Sequence, residues 1–390
     1  MEAGTGTSFD REARRPLVLS ALTALGDSAE KLAGANVLVT GARGFFGRYV
    51  VEALLELNKM WRETNIWADY PYHELINIVA TDSYAVGNQE VRVEEWRNEP
   101  NLICAKMDVN HTFGGAIPPG LTHVWHLAGI ASPFWYKKLP EETIAVSVDG
   151  TRSMLKLARE NDARFMFTSS SEVYQTAEVV PTPETYVGAI PSTNERSCYD
   201  VSKLMAETLC FVEAQKHGTH VSAVRIFNSF GPGMSEVDRR ILPRIASAMK
   251  GKKSIKVFAP RYDDALEMAP PLPSRTYTPV ANTLLGFLKV AVDGGTMGVT
   301  NAPEGTGIYN VGLDTDEVNV LQLINRCVLA ADKPVASTCV EPPSNYQTEP
   351  LRRCPDVSKL RELGWKPCMP LDEGLKHFFG WALQCYQGID

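Results

Sequence analysis

The sequence lacks long apolar runs and an excess of basic residues, and each absence excludes a class of protein. No stretch approaches the roughly 20 apolar residues that a membrane span needs, so we expect no membrane association. Glu2, Asp10 and Glu12 stand where a signal peptide would be basic, which indicates a cytoplasmic protein. The net charge of −7 argues against nucleic acid as a partner, because phosphate binding calls for a basic face. An anionic substrate would need a few local arginines.

Cysteine pairs and metal-binding patterns are also absent. The eight cysteines are scattered without a C-x-x-C pair, in a chain of 390 residues that needs no disulfides for stability. We therefore expect reduced thiols. The seven histidines show no ligand spacing with cysteines or carboxylates, so no metal is predicted.

Apolar runs alternate with helical patterns over the first 230 residues. Six such runs predict strands, at residues 35–40, 76–80, 101–107, 123–127, 164–168 and 221–227. Helical patterns lie between several of them, notably at residues 143–161. Strands that alternate with helices predict a parallel sheet covered on both faces, which is the doubly wound α/β Rossmann architecture.

The same patterns predict a division into domains. Residues 1–34 would form an N-terminal extension with an amphipathic helix at 17–32. Residues 35–230 would form the Rossmann domain, with a return segment near 276–312. Residues 231–275 and 313–390 would form a smaller C-terminal substrate-binding domain. The pattern at 261–274 is unusual, and we assign it no function.

A glycine turn follows the first predicted strand. Gly41, Gly44 and Gly47 are spaced as G-x-x-G-x-x-G and precede a helical pattern, which suits a tight turn whose backbone approaches a dinucleotide pyrophosphate. A plain strand-to-helix turn is the alternative. Asp82 ends the second strand and is placed to bind ribose hydroxyls, which favours NAD over NADP. Arg43 in the turn would favour the opposite choice.

A tyrosine and a lysine lie four residues apart, on the same face of a predicted helix. Tyr199 alone is a poor base at neutral pH, because a free tyrosine titrates near ~10. The charge of Lys203 and an oxidised nicotinamide would favour its phenolate. The pair follows the hydroxyl-rich end of the fifth strand, where Ser170, Ser171 and Glu172 could position a substrate alcohol and serve acid–base steps. Caps on the following turn are their alternative.

Further motifs join these into a recognisable set. They are Gly41-x-x-Gly44-x-x-Gly47, Asp82, Asp108-Val109, His126-Leu127-Ala128, the serine-rich strand end, Tyr199-x-x-x-Lys203 and Arg225-Ile226-Phe227-Asn228-Ser229-Phe230-Gly231-Pro232. The set resembles the extended short-chain dehydrogenase/reductase family of nucleotide-sugar enzymes, the NAD-dependent epimerases and dehydratases. The resemblance runs from about Ala35 to the C-terminus.

Within that family, the sequence is most similar to the UDP-glucuronate decarboxylases. The segments that carry this similarity are Leu127 to Tyr136, Ser169 to Tyr174, Arg196 to Asp200, Arg275 to Tyr277, Arg352 to Asp356 (the family's R-x-P-D) and Leu363 to Pro367. Three departures surround the sugar and nucleotide pockets. Tyr174-Gln175-Thr176-Ala177 replaces Y-G-D-P, Ser147 replaces an asparagine, and the unusual segment from Arg261 to Ser274 replaces the family's G-D-G-S-Q-T-R approach to the arginine.

The resemblance implies a bound NAD, a nucleotide-diphosphate sugar as the substrate and a homodimer. The cofactor-binding residues that it implies are Gly41, Gly44, Phe45, Phe46, Gly47, Asp82, Asp108, Val109, Leu127, Ala128, Tyr199 and Lys203. The substrate-binding residues are Ser132, Tyr136, Asn228, Arg275 and Arg352.

The resemblance also implies a lyase reaction. Tyr199 would take the proton of the C4 hydroxyl while hydride moves to NAD⁺, and the 4-keto uronic acid would lose its carboxylate. Glu172, with Ser170 and Ser171, would manage the ring and the C5 proton, and Arg275 would engage the carboxylate. The product would be UDP-xylose or a UDP-4-keto-pentose.

Three other functions stay open at this point. A 4,6-dehydratase would need an Asp-Glu pair, but Ser171 holds the position of the aspartate. A 4-epimerase would need only the tyrosine, lysine and hydroxyl set, and would usually lack an acid at Glu172. A dinucleotide-binding sensor or scaffold would be expected to have lost Tyr199 or Lys203, and both are present.

Overall fold

The alternating segments build a seven-stranded sheet and a second, smaller group of helices and strands. The computed structural model describes residues 8–64, 74–86, 96, 98–111, 117–258, 272–299, 306–340 and 351–389. Its strands are β1 (Asn36–Thr40), β2 (Asn77–Asp82), β3 (Leu102–Lys106), β4 (His123–His126), β5 (Arg164–Ser170), β6 (Val221–Ile226), β7 (Ser229–Phe230), β8 (Ser254–Phe258), β9 (Ser274–Arg275), β10 (Thr278–Pro279), β11 (Ile308–Val311), β12 (Val318–Asn319), β13 (Ala336–Val340) and β14 (Arg352–Arg353).

Ten α-helices are described between and after these strands. They are α1 (Ser8–Leu25), α2 (Phe45–Thr64), α3 (Pro133–Tyr136), α4 (Pro140–Glu160), α5 (Ser197–His217), α6 (Ile241–Gly251), α7 (Val280–Asp293), α8 (Val320–Ala331), α9 (Ser358–Glu362) and α10 (Leu371–Cys385). Short 3-10 turns at Gly26–Leu32, Ser171–Tyr174 and Glu236–Asp238 connect some of them. Among the helices of the described ranges, none is long and apolar enough to cross a membrane.

The main sheet has the strand order β11-β6-β5-β4-β1-β2-β3, and all its pairs are parallel. The predicted doubly wound α/β architecture is confirmed. Val37, Leu38 and Val39 of β1 are fully buried, as expected for a central strand that helices cover on both faces. The strand order reverses between β1 and β4, and ligands of such sheets bind beside the carboxyl ends of the strands at this point.

The first helix begins at Ser8, so the prediction of a helix at residues 17–32 is wrong in its bounds. Residues 26–32 form a 3-10 helix instead. The charged residues at 8–16 do not show the apolar pattern of a packed helix, so its first two turns were not predicted. Arg14 is nevertheless fully buried, and its Nη2 lies 2.6 Å from Oε1 of Glu52 on α2. With Leu17 and Ala21 also buried, α1 packs against α2 and α7.

The smaller lobe forms around a separate core. Helices α6, α8 and α10 pack with short strands around buried apolar residues such as Ile245, Leu375 and Phe378. Its strands form the sheet β12-β9-β14 and the pair β13-β8. The Asp10 carboxylate of α1 accepts a hydrogen bond from Trp381 Nε1 of α10 at 2.7 Å, which joins the N-terminal helix to this lobe. Of the unusual segment at 261–274, residues 261–271 lie outside the described residues.

Candidate active site

A cavity of about 1030 Å³ extends from the glycine turn after β1 to the smaller lobe. Each predicted site residue except Arg352 lies in its lining. These residues are Gly41, Gly44, Phe45, Phe46, Gly47, Asp82, Asp108, Val109, Leu127, Ala128, Ser132, Tyr136, Ser170, Ser171, Glu172, Tyr199, Lys203, Asn228 and Arg275. The fold therefore brings together residues spread over 235 positions of the sequence, from Gly41 to Arg275.

The glycine turn has no room for side chains. Gly41 has φ +65°, and a β-carbon there would lie 2.7 Å from the backbone of Ala128. At Gly47 a β-carbon would lie 2.1 Å from the carbonyl oxygen of Gly41. Helix α2 can thus begin directly at the cavity, with its first backbone N–H groups available to a pyrophosphate. This arrangement fits a dinucleotide.

Asp82 closes one end of the cavity. Its Oδ2 accepts from the backbone N–H of Arg43 at 3.0 Å and its Oδ1 from that of Tyr84 at 2.9 Å. The side chain of Arg43 is buried, and its guanidinium lies 4.5 Å from the ring centre of Trp96. A fixed carboxylate at this place suits a ribose diol and repels a 2′-phosphate, which supports the preference for NAD.

Helix α5 presents the Tyr-Lys pair to the cavity. The Tyr199 ring stacks on Tyr136 with the ring centres 5.4 Å apart, and Lys203 Nζ donates to the carbonyl of Thr168 at 2.8 Å. Burial lowers the pKa of Lys203 to about 8. Burial also raises the pKa of Tyr199 to about 12, although a hydrogen bond with Ser170 acts in the opposite direction. The phenol is therefore protonated at neutral pH unless further positive charge is added.

Both serines at the end of β5 line the cavity, but they hydrogen-bond to different partners. Ser169 Oγ donates to Glu207 at 2.5 Å, and Glu207 is in turn paired with Arg225 at 2.7 Å, both inside the fold. Ser170 faces Tyr199, and its Oγ also accepts the backbone N–H of Glu172 at 3.2 Å. Since residues alternate along a strand, the two hydroxyls point in different directions, and that of Ser170 is the one beside Tyr199.

Glu172 is held between two arginines. Arg196 Nη2 lies 2.5 Å from its Oε2, and Arg353 of β14 contacts both carboxylate oxygens. Burial alone would raise the pKa of Glu172, but the charges of Arg353 and Arg196 outweigh it and bring the pKa to about 2. Glu172 is therefore a carboxylate at neutral pH, which excludes it as a proton donor in this state.

Arg352, which the sequence predicted to bind the substrate, lies outside the lining of the cavity. Arg352 is half exposed and forms an ion pair with Glu317, with Nη2 2.6 Å from Oε2. Its neighbour Arg353 is buried and lines the cavity, because successive residues on a strand point to opposite faces. The sequence contained an indication that Arg353 faces the cavity, because the R-x-P-D pattern begins at Arg353 and not at Arg352.

Arginine side chains converge on the cavity although the chain is acidic overall. Five of those in its lining come from the residue before α5, the segment before α6, β9 and β14, and they are Arg196, Arg239, Arg240, Arg275 and Arg353. Arg240 is oriented by Asp238, with Nε 2.5 Å from Oδ1. Only Arg275 had been assigned a role from the sequence. The site is thus suited to a ligand that carries several negative charges.

The fold and the site define a class of protein. The site combines a glycine turn at the switch point of a Rossmann sheet with a buried Tyr-Lys pair. This combination is typical of dinucleotide-dependent enzymes that oxidise an alcohol. The model of the NAD dependent epimerase/dehydratase family matches residues 37–263. The chain belongs to this family, which confirms the predictions of the family, of an enzyme and of NAD as its cofactor.

Named relatives cover most of the chain. UDP-glucuronic acid decarboxylase 3 of Arabidopsis thaliana is 31% identical over 343 residues, which are 87% of this chain and 86% of the relative. UDP-glucuronic acid decarboxylase 1 of Xenopus tropicalis is 28% identical over 351 residues, which are 88% of this chain and 72% of the relative.

Solved structures share the fold. UDP-N-acetylglucosamine 4-epimerase from Methanobrevibacter ruminantium superposes with a TM-score of 0.71 at 20% identity, over 90% of this chain and 98% of that one. UDP-glucuronic acid 4-epimerase from Bacillus cereus, in complex with NAD, superposes with a TM-score of 0.70 at 20% identity, over 90% and 99% of the two chains.

Proposed function

We propose that this chain decarboxylates UDP-glucuronate, with oxidation of the sugar at C4. The observation that carries the proposal is the group of arginines beside the Tyr199–Lys203 pair, in particular Arg196, Arg275 and Arg353. A nucleotide-diphosphate uronic acid offers two kinds of anion to such a site, the diphosphate and the sugar carboxylate. The named decarboxylase relatives support the same substrate.

The reaction balances with one proton from solvent and no other reactant. Bound NAD⁺ supplies the hydride acceptor and, at the end, the hydride donor. Tyr199 accepts the proton of the C4 hydroxyl, and the resulting ketone lies β to the carboxylate. The C5–C6 bond then breaks, its electron pair forms the C4–C5 enolate, and C6 leaves as CO₂. Protonation at C5 by solvent gives the UDP-4-keto-pentose. Return of the hydride to C4, with the proton of Tyr199 returned to the C4 oxygen, gives UDP-xylose.

The side chains divide this work according to their charge. Lys203 and Ser170 lie beside the phenol of Tyr199 and stabilise its deprotonated form. Arg275 binds the carboxylate before it leaves. Glu172, as a carboxylate between two arginines, accepts hydrogen bonds from the sugar. The proton that reaches C5 therefore comes from water and not from Glu172, since the proton held by Tyr199 returns to the C4 oxygen.

The charge of Glu172 also weighs against a 4,6-dehydratase. Loss of water from the sugar needs a proton donor for the leaving hydroxyl. Ser171 stands in the position of the acid, and the pKa of Glu172 is about 2, so neither residue supplies that proton at neutral pH. A 4-epimerase needs no such donor and is the second candidate outcome of the test.

The experiment is mass spectrometry of the products formed from separate nucleotide sugars. The chain and NAD⁺ are incubated with UDP-glucuronate, UDP-glucose, dTDP-glucose or GDP-mannose. We expect UDP-glucuronate to lose the mass of CO₂, and Tyr199→Phe, which keeps the stacked ring, to abolish that loss. Loss of the mass of water from a hexose would replace the proposal by a dehydratase. An isomer of unchanged mass, resolved by chromatography, would indicate an epimerase.

We also propose that the chain forms a homodimer through α4 and α5. Exposed apolar side chains recur along α5 at helical spacing, beside one on α4, and they are Ile144, Val201, Leu204, Met205, Phe211 and Val212. Such a stripe on the surface indicates a contact with another protein surface. A second copy of the chain presents the same stripe, which allows a symmetric pairing.

For the location, we propose the cytoplasm. The seven cysteines whose side chains are described are all free thiols, and Cys210 and Cys327 are buried. Thiols persist in reducing compartments. Fractionation of cells that express the tagged chain tests this, and recovery in the secreted fraction would contradict it.

A further inference from the structure

The residue after the catalytic turn has an unusual backbone. Gln175 ends the turn Ser171–Tyr174 with φ 51° and ψ −129°. This region is readily open to glycine and strained for a residue with a β-carbon. Strain of this kind persists where the surrounding structure enforces it, and it clusters at functional sites.

The Gln175 side chain binds the residue next to the catalytic tyrosine. Its Nε2 donates to Asp200 Oδ2 at 2.6 Å and lies 3.3 Å from the carbonyl oxygen of Glu172. Asp200 is 2% exposed, and within the described residues its Oδ1 has no hydrogen-bond partner. The amide of Gln175 is thus the closest donor to a buried carboxylate.

Asp200 connects in turn to the carboxylate in the active site. Arg196 lies between them, with Nε 3.6 Å from Asp200 Oδ2 and Nη2 2.5 Å from Glu172 Oε2. The contacts form one continuous path from Gln175 through Asp200 and Arg196 to Glu172. A shift at either end moves the others, because a buried charge cannot give up its partner at low cost.

We propose that Gln175 is a positioning residue, whose amide fixes Asp200 and, through Asp200 and Arg196, the carboxylate of Glu172. The inference rests on the proposed function for the reaction that it serves. The strained backbone is the condition for this contact, since it directs the side chain back toward the start of α5. A glycine would relax the backbone but could not make the contact.

The charges around Asp200 give the proposal a signature in pH. The groups that face Asp200 are Glu172 in the turn, Arg196 just before α5, Arg353 on β14 and the phenols of Tyr136 and Tyr199. Burial, with Glu172 adding to it, raises the pKa of Asp200 to about 6, and the Gln175 hydrogen bond opposes that rise. Loss of the amide raises the pKa further, so the acidic limb of kcat moves to higher pH.

The experiment compares Gln175→Gly, Gln175→Met and the control Asp332→Gly. Asp332 also has a positive φ, 46°, but it ends α8 on the surface outside the cavity lining. Both Gln175 variants should lower kcat roughly tenfold and move the acidic limb up by about one pH unit, the size of one hydrogen bond to a charged group. KM should change little, and Asp332→Gly should match the wild type.

The two Gln175 variants separate the amide from the backbone. Gln175→Met keeps the β-carbon and the strain, whereas Gln175→Gly removes both and should have the higher Tm. Wild-type kcat and pH limb in Gln175→Met would overturn the proposal in favour of a backbone role. If Gln175→Met does not fold, as judged by circular dichroism, the acidic limb of kcat in Gln175→Gly is compared with that in Asp332→Gly. The same limb in both variants would overturn the proposal.

A measurement without substrate keeps this test separate from the proposed function. Carbon-13 NMR of labelled aspartate follows the Asp200 carboxyl, which is assigned by its loss in Asp200→Asn. Its pKa should rise in both Gln175 variants even if the wild type turns over no UDP-glucuronate. An unchanged Asp200 pKa would reject the positioning role whatever the substrate.

Discussion

At the scale of single residues, ionisation decides what Glu172 contributes. Its pKa is depressed from 4.5 to about 2, so the stability that it contributes is fully present above about pH 4.5 and is lost as pH falls toward 2. A shift of this size corresponds to a contribution on the order of 3 kcal/mol. We expect Glu172→Gln to lower the free energy of unfolding at pH 7, and the difference from wild type to vanish only as pH falls through about 2. Urea titrations at several pH values measure this, and a difference that is constant with pH would contradict the ionised state.

The neighbouring arginines of β14 form a matched pair for a second prediction. Arg353→Ala removes a cation from the cavity and a partner from Glu172, so kcat/KM for UDP-glucuronate should fall by roughly a hundredfold or more. Arg352→Ala removes only an exposed pair with Glu317, which is worth about 0–1 kcal/mol. Steady-state kinetics on both variants checks this, and equal losses would show that the cavity assignment is wrong.

Sequence reasoning located most of the site because the residues follow predictable strand ends. Asp82 and Ser170 end strands, Gly41 directly follows one and Tyr199 lies in the first turn of a helix, so their convergence follows from a parallel sheet. The choice between Arg352 and Arg353 depends on which face of a two-residue strand meets the cavity. Such a short strand has no hydrophobic alternation from which its inward face could be read.

At the scale of elements, β11 and α1 also could not be predicted fully from their local sequence. β11 has four residues and was not predicted as a strand, although it extends the main sheet beside β6. The first turns of α1 were missed because the partner of Arg14, Glu52, lies 38 residues away. Long strands and amphipathic helices can be predicted from the local sequence pattern, whereas elements that depend on partners distant in the sequence cannot.

The buried Arg14–Glu52 pair gives a prediction for α1. Arg14→Met leaves the Glu52 carboxylate 5% exposed in its buried site, which should cost about 3–5 kcal/mol and lower Tm clearly. The next residue is the control, since Arg15 is 50% exposed in its pair with Glu56 and Arg15→Met should cost at most about 1 kcal/mol. Differential scanning calorimetry compares them, and the double variant Arg14→Met, Glu52→Met should recover most of the loss.

At the scale of the whole molecule, the apolar stripe of α5 predicts the assembly. Phe211→Glu places a charge in the stripe and should convert the dimer to a monomer, measured by light scattering behind size-exclusion chromatography. Leu329→Glu is the control, because Leu329 is 80% exposed but lies on α8, outside the stripe. A wild-type chain that is monomeric at micromolar concentration would contradict the proposed homodimer.

The contact between Asp10 and Trp381 has a consequence for motion. Helix α1 packs on α2 and α7 of the large lobe, and its Asp10 is hydrogen-bonded to α10 of the small one. Any rotation that separates the lobes must break this contact or pivot on it. The rotation that keeps this contact intact is a hinge whose axis passes near α1, and such a hinge would widen the cavity most at the edge farthest from that axis.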